Sequence, residues 1–226
     1  MIDRLLRGSA KLRARVLNFL LQSSALALIL LVCGDSLLAA VPLWVIAAQA
    51  LHYGLIALTD IYEDDYPAGK KRSSYAALAL FYVWSLSAGY YDNEFIRLHT
   101  FVVLMGSVLG GKIDTPSWKV VFWLYMATIV VYELLNLDLL RGGLPLLLYI
   151  AGAAGVVFLC ERLSEINQKA WMLHTVLFTG WALLHGGYFQ EGVLFIVGGL
   201  GYETVKVLFR VVAESDNEAA KRLLFS

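Results

Sequence analysis

Over residues 59–72 the chain reads TDIYEDDYPAGKKR, and within that stretch it gathers Asp60, Glu63, Asp64 and Asp65 followed by Lys70, Lys71 and Arg72. Carboxylate oxygens are what Mg²⁺ takes from a protein, and Lys and Arg are what a phosphate takes. The stretch therefore reads as a metal and diphosphate mouth, with Asp60, Glu63 and Asp64 on metal and the three cations on phosphate. A second acidic pair stands at residues 160–169, CERLSEINQK, where Glu161 and Glu165 repeat the i, i+4 spacing of Asp60 and Asp64. Each pair falls on one face of a helix end. A mixed acid and base cluster at a helix end also serves as a plain solvated turn, so the placement of the second pair favours a site more than its composition does.

The elements that must hold these clusters follow from composition. Of 226 residues, 59% are hydrophobic, 13% aromatic and only 16% charged, too little polar surface for an ordinary water-soluble domain. A membrane-crossing helix needs about 20 apolar residues. The charged clusters cut the chain into stretches of about that length: 16–33, 40–59, 74–91, 95–111, 119–138, 143–160, 170–187 and 192–211. The expected fold class is an all-α integral membrane protein with eight transmembrane helices. The run at 16–33 is kept as a spanning helix because it is longer than a signal-peptide core and lacks a small-x-small cleavage site. With the N-terminus inside, all of the 18 Lys and Arg except Arg97 and Arg141 fall in cytoplasmic segments, as the positive-inside rule requires. Both termini are then cytoplasmic and both acidic clusters face the cytoplasm. The expected organisation is one transmembrane domain over residues 1–226, in two four-helix halves of about 1–111 and 112–211, with 212–226 a cytoplasmic tail. The short outer segments, among them GDS at 34–36, read as turns. Parallel repeats of this kind place a shared site where the halves meet.

On these residues the chain resembles the UbiA-type membrane prenyltransferases. TDIYEDDYPAGKKR stands where that family has an N-D-x-x-D-x-x-x-D type motif after the second helix, and CERLSE stands where it has a D-x-x-x-D type motif after the sixth. Asp60 matches the first Asp of the first motif and Glu63 the second, while Thr59 replaces the Asn and Pro67 falls where a third Asp would be. Glu161 and Glu165 take the place of the two Asp of the second motif. A ninth helix common in the family is missing. The resemblance implies two Mg²⁺ ions, a prenyl diphosphate donor and a lipophilic acceptor. It assigns Asp60, Asp64, Glu161 and Glu165 to catalysis, those four with Glu63 to metal, and Lys70, Lys71, Arg72 and Lys112 to diphosphate. The reaction implied is Mg²⁺-dependent transfer of an isoprenoid group inside the cytoplasmic membrane, on its cytoplasmic face. Acceptor, donor length and oligomeric state are left open. The competing expectation is a non-catalytic membrane protein, either a carrier for a small anionic solute or a subunit of a larger complex.

Other polar residues admit two readings each. Gln49, His52 and Asp60 share one face of the second helix, either as an acceptor pocket running inward from the mouth or as one interhelical hydrogen bond. Tyr53, Tyr62, Trp84, Tyr125 and Trp171 are candidates for aromatic walls that would stabilise an allylic cation. Glu133, Arg97, His99 and His174 read as structural. Lys206 suggests a retinal-binding lysine, a reading set aside because the helix count is wrong and Lys206 can snorkel to the surface. Gly34, Asp35 and His52 are faintly similar to small lysoplasmalogenase-like hydrolases, whose Lys-Pro-Leu element is absent. Cys33 and Cys160 fall on opposite membrane faces, which disfavours a disulfide, and the basic residues are too scattered for nucleic acid.

Overall fold

The computed structural model describes residues 9–65, 70–90, 94–111, 113–136, 148, 151–160, 162–163, 177, 180, 189–215 and 217–225. Among them every regular element is helical and none is a strand. In chain order these are α1 (Ala10–Ala40), α2 (Leu43–Asp60), a π-helical turn (Ile61–Asp65), α3 (Lys70–Tyr90), α4 (Glu94–Leu109), α5 (Pro116–Asn136), α6 (Ala151–Cys160), α7 (Phe189–Ala213) and α8 (Glu218–Phe225).

Two local expectations are corrected. The turn expected at Gly34–Ser36 does not form, because α1 runs through it to Ala40. A single Gly inside an apolar helix costs about 1 kcal/mol relative to Ala and does not by itself stop it. Pro42 does: proline offers no N–H to continue the ladder and drives the preceding residue out of the α region. Pro42 sits at φ −59°, ψ 139°, and its carbonyl accepts from the backbone N–H of Val45 at 2.9 Å and of Ile46 at 3.3 Å, which starts α2. Lys70–Arg72, which fall between the expected spans 40–59 and 74–91, are likewise helical, forming the first turn of α3. The loop after α4 does form where expected. Gly111 closes that helix at φ 75°, a left-handed conformation that glycine reaches without a Cβ penalty. Pro116 opens α5, and Thr115 accepts at Oγ1 from the Trp118 N–H at 3.4 Å.

Among the described residues three helices are long and apolar enough to cross a membrane, at Ala10–Val32, Leu43–Glu63 and Gly192–Ala213, with shorter apolar helices at Thr100–Leu109 and Ala151–Cys160. The expected spans at 143–160 and 170–187 fall largely outside the described residues. Exposure supports the membrane reading of α1. Leu17, Leu20, Leu21, Leu28, Leu31 and Val32 are all turned outward, Leu31 to 84%. In water such a stripe is an aggregation surface. In hydrocarbon it is the solvated face, and the polar residues are the ones that turn inward.

The chain divides into two compact units, Met1–Ser87 with Gly192–Ser226, and Ala88–Glu191. In the second, α4 packs on α5, and Gly106 of α4 lies so close to Val157 of α6 that a Cβ there would overlap it. In the first, contacts fix the relative direction of three helices. Ser9 meets Glu214, Arg15 meets Glu203, and Gln22 lies against Gly199, so α1 runs antiparallel to α7. The Ala50 carbonyl lies against Gly201, Asp60 meets Tyr202, and Tyr62 meets Phe209, so α2 runs parallel to α7. Residues 9–15, 60–65 and 203–214 therefore share one end of this unit.

Candidate functional site

The seam where α2 meets α7 is set by small residues. A Cβ on Gly201 would overlap the Ala50 carbonyl, and one on Gly198 would meet the Tyr53 ring at 2.7 Å. Close backbone approach leaves the larger polar side chains of α1, α2 and α7 to fill the space beside the seam. Tyr202 lies at the centre of that space. Its hydroxyl donates to Asp60 Oδ2 at 3.0 Å, while the Arg15 guanidinium and the Lys206 ammonium lie over its ring at 5.6 and 5.5 Å from the centroid. Both distances fall within the range of cation–π attraction.

Two ion pairs flank the tyrosine. Lys206 Nζ stands 3.8 Å from Asp60 Oδ2, with both side chains partly exposed. Arg15 Nη1 lies 2.8 Å from Glu203 Oε1, and Asn18 Nδ2 donates to the same oxygen at 2.8 Å. The Glu203 side chain is 0% exposed and that of Arg15 29%. Charges at these four positions sum to zero, as a low-dielectric interior demands. The expectation that Lys206 snorkels gives way to a more specific placement, since it is turned onto Asp60 and Tyr202.

The acidic stretch itself continues α2. Thr59 bonds back to the Leu55 carbonyl at 2.8 Å, and Ile61–Asp65 then wind one π-helical turn, a geometry common at functional sites. Ile61 and Tyr62 are buried, with Tyr62 edge-on to Phe209 at 5.9 Å. Glu63 Oε1 accepts a short bond, 2.5 Å, from Ser73 Oγ in the first turn of α3. That contact brings one carboxylate to the helix end where Lys70, Lys71 and Arg72 would otherwise oppose the positive end of the α3 dipole. Asp60 is thus tied to α7 and Glu63 to α3.

Of the remaining expected site residues, Gln49 and His52 are buried on α2. The side chains of Asp64, Lys70 and Lys71, and the whole of Lys112, Glu161 and Glu165, lie outside the described residues. Among the described residues no group of three or more His, Cys, Asp or Glu is placed to share a metal ion. Of the aromatic candidates, Tyr53 lies against Gly198, Trp84 is buried and stacked on Phe81 at 6.2 Å, and Trp171 lies outside the described residues.

An apolar groove of about 580 Å³ runs along the α2–α7 pair, lined by Ala50, Gly54, Leu58, Val197, Gly201 and Val205 among others. At 100° per residue these positions lie on the opposite side of both helices from Gln49, His52, Asp60, Tyr202 and Lys206. The groove therefore does not open onto Asp60.

Arg15, Asn18, Tyr202 and Glu203 were not singled out by sequence reasoning as a site. A signal was present, since Arg15, Asn18 and Gln22 recur at i, i+3 and i+7 on the first apolar helix, and Glu203 interrupts the last. No protein-family model, no curated protein and no solved structure matches this chain.

Proposed function

We propose that this protein is a multi-pass enzyme of the cytoplasmic membrane that transfers an isoprenoid group from a prenyl diphosphate to a lipophilic acceptor, with Mg²⁺. The eight-helix topology with cytoplasmic termini belongs to this proposal. The observation that supports it is the winding of Ile61–Asp65. The acidic run is a π-helical continuation of a membrane-length helix, and it ends beside a helix that begins with three cations. An ordinary solvated turn has no need of that geometry.

The donor chemistry of Asp60 and Glu63, hard carboxylate oxygens at a helix end, fits Mg²⁺. On this reading Asp60, Glu63 and Asp64 would hold Mg²⁺, which would supply charge neutralisation for the diphosphate leaving group. Lys70, Lys71 and Arg72 would bind the diphosphate oxygens, and Lys206, already beside Asp60, adds a cation at the same end. The bond between the allylic carbon and the diphosphate oxygen breaks with both electrons leaving on oxygen. The acceptor then supplies the electron pair for the new bond and releases a proton to water. Gln49 and His52 would orient the acceptor. The test is thermal unfolding of the detergent-solubilised full chain. Mg²⁺ with an isoprenoid diphosphate should raise the midpoint and Asp60→Asn should remove that rise. No rise with donors of any chain length would refute the proposal.

A second reading, a carrier for a small anionic solute, is favoured by one observation: charged and amide side chains line the buried meeting of three apolar helices. Intramembrane ionisable groups commonly mark such routes. Proteoliposome uptake of inorganic anions, lost in Arg15→Met, would support it over the enzyme.

A further inference from the structure

Beyond α7 the chain turns a corner and forms α8, an eight-residue helix over Glu218–Phe225. Helices shorter than about 12–15 residues are marginal in water by themselves, and most gain their stability by laying an apolar face on something. Such a face is present in the register. At 100° per residue Ala219, Ala220, Leu223 and Leu224 fall within an arc of about 140°, opposite Glu218, Lys221 and Arg222. Only the last residue, Phe225, departs from that division. The corner fixes where the helix starts. Ser215 Oγ donates to the Val212 carbonyl at 2.7 Å and accepts from the Asn217 N–H at 3.3 Å, and Asn217 Oδ1 caps α8 by accepting from the Ala220 N–H at 3.0 Å. The apolar segment before the corner, Gly192–Ala213, has 22 residues. At 1.5 Å per residue it spans about 33 Å, close to the thickness of the hydrocarbon core. Helix α8 therefore starts at the level of the headgroups. The same level is marked on α1, which Ser9 ties to Glu214. Arg13 is exposed one turn before Leu17, so the outward leucine stripe of α1 gives way to a cation at this end.

We infer that α8 is an interfacial helix, its apolar arc laid on the bilayer and its two cations set against anionic phospholipid headgroups. The placement of charge selects that occupant. Lys221 and Arg222 lie at the two edges of the polar side, next to the apolar arc, where long stems let their charges reach headgroup phosphates. Glu218 lies between them, furthest from the lipid. Lys221 Nζ is 3.0 Å from Glu218 Oε1, an exposed pair that leaves much of the lysine's charge to act on the surface. Of the acids in the corner, Glu214 is engaged by Ser9, and the side chain of Asp216 lies outside the described residues. Arg13 adds a third cation at this level from α1. The inference uses residues outside the transferase proposal and stands without it.

The test uses the full chain in nanodiscs of phosphatidylcholine mixed with phosphatidylglycerol. In a Cys33→Ala/Cys160→Ala background a nitroxide label is placed in turn at Glu218→Cys, Ala220→Cys and Leu224→Cys. Collision with molecular oxygen, which concentrates in lipid, should dominate at 220 and 224, and collision with a neutral water-soluble nickel chelate should dominate at 218. Labels at 220 and 224 reached chiefly by the chelate would put α8 in water, and labels there shielded from both would put its apolar arc on protein. Either result overturns the inference. Hydrogen exchange along α8 of the chain without label then reads the headgroup contact. Lys221→Gln/Arg222→Gln should speed that exchange about tenfold in the mixed lipid, since each cation near an anionic surface is worth about fivefold and the Glu218 pairing takes part of the Lys221 share. In pure phosphatidylcholine the same variant should exchange like the unmodified chain. Equal exchange of the unmodified chain in the two lipids would overturn the assignment to anionic headgroups.

Discussion

Replacing Arg15 by Met leaves Glu203, with a 0% exposed side chain, facing Asn18 as its remaining donor among the described residues. Removing one partner of a buried ion pair costs about 3–5 kcal/mol, because the surviving charge stays desolvated without its counter-charge. Arg15 is 29% exposed, so water screens part of the pair, and Asn18 keeps one hydrogen bond; both considerations place the cost near the low end, about 3 kcal/mol. For a chain of this size that corresponds to a fall of about 6–12 °C in the thermal midpoint. The double variant Arg15→Met/Glu203→Leu removes both charges and should recover to the unmodified stability or exceed it by about 1–4 kcal/mol. Differential scanning fluorimetry in detergent completes the cycle with Glu203→Leu alone. A midpoint for Arg15→Met within about 1 °C of the unmodified protein, equivalent to under ~0.5 kcal/mol, would refute the claim that this pair organises the helix trio. A double variant no more stable than either single variant would refute it equally.

Gly201→Ala should destabilise the protein by about 1–3 kcal/mol through overpacking against the Ala50 carbonyl, whereas Gly152→Ala, where a Cβ meets nothing within 4 Å, should be neutral or stabilising by up to about 1 kcal/mol. Thermal midpoints of the two variants that move together would show that the α2–α7 seam tolerates a methyl. At the end of α7, burial pushes the Glu214 carboxyl up, but bonds from Ser9 Oγ at 2.6 Å and Ser9 N at 3.1 Å, with Arg210 nearby, outweigh it and hold its pKa below the usual 4.5. The tie between Ser9 and Glu214 is therefore fully present above pH 4.5 and is lost as pH falls through the depressed value. Hydrogen exchange at the start of α1 should speed up over that acid window relative to the body of α7. Ser9→Ala should already be fast at pH 7 and lose the pH dependence.

What could be read in advance followed from local pattern. Membrane-length apolar runs located α1, α2 and α7, and the charges after Thr59 located the end of α2, because both signals need only neighbours in sequence. The end of α1 was misplaced because Gly34, Asp35 and Ser36 have the composition of a turn, while the residue that actually ends the helix, Pro42, lies a turn and a half later. The Lys70–Arg72 helix turn was missed for a related reason: cations at a helix start are disfavoured by the dipole, and Glu63 on Ser73 supplies the compensation only in three dimensions.

The buried cluster was the least legible part, and the reason is physical. Glu203 alone in an apolar helix reads as a defect and Arg15 alone as the edge of a basic lead. They become a site only when a 188-residue separation is closed. On α7, Gly199 admits Gln22 of α1, while Gly198 and Gly201 bring the α2 backbone up at Tyr53 and Ala50 and so set the width of the space beside them. Polar side chains that would be lethal to a lone membrane helix become a requirement once that space exists, since a trio lined only with leucine would have nothing to fix the registration of α1 against α7. The Arg15, Asn18 and Glu203 contacts, with Gln22 one turn deeper, specify that registration to within one helical turn, and any function carried by Asp60 inherits its position from it.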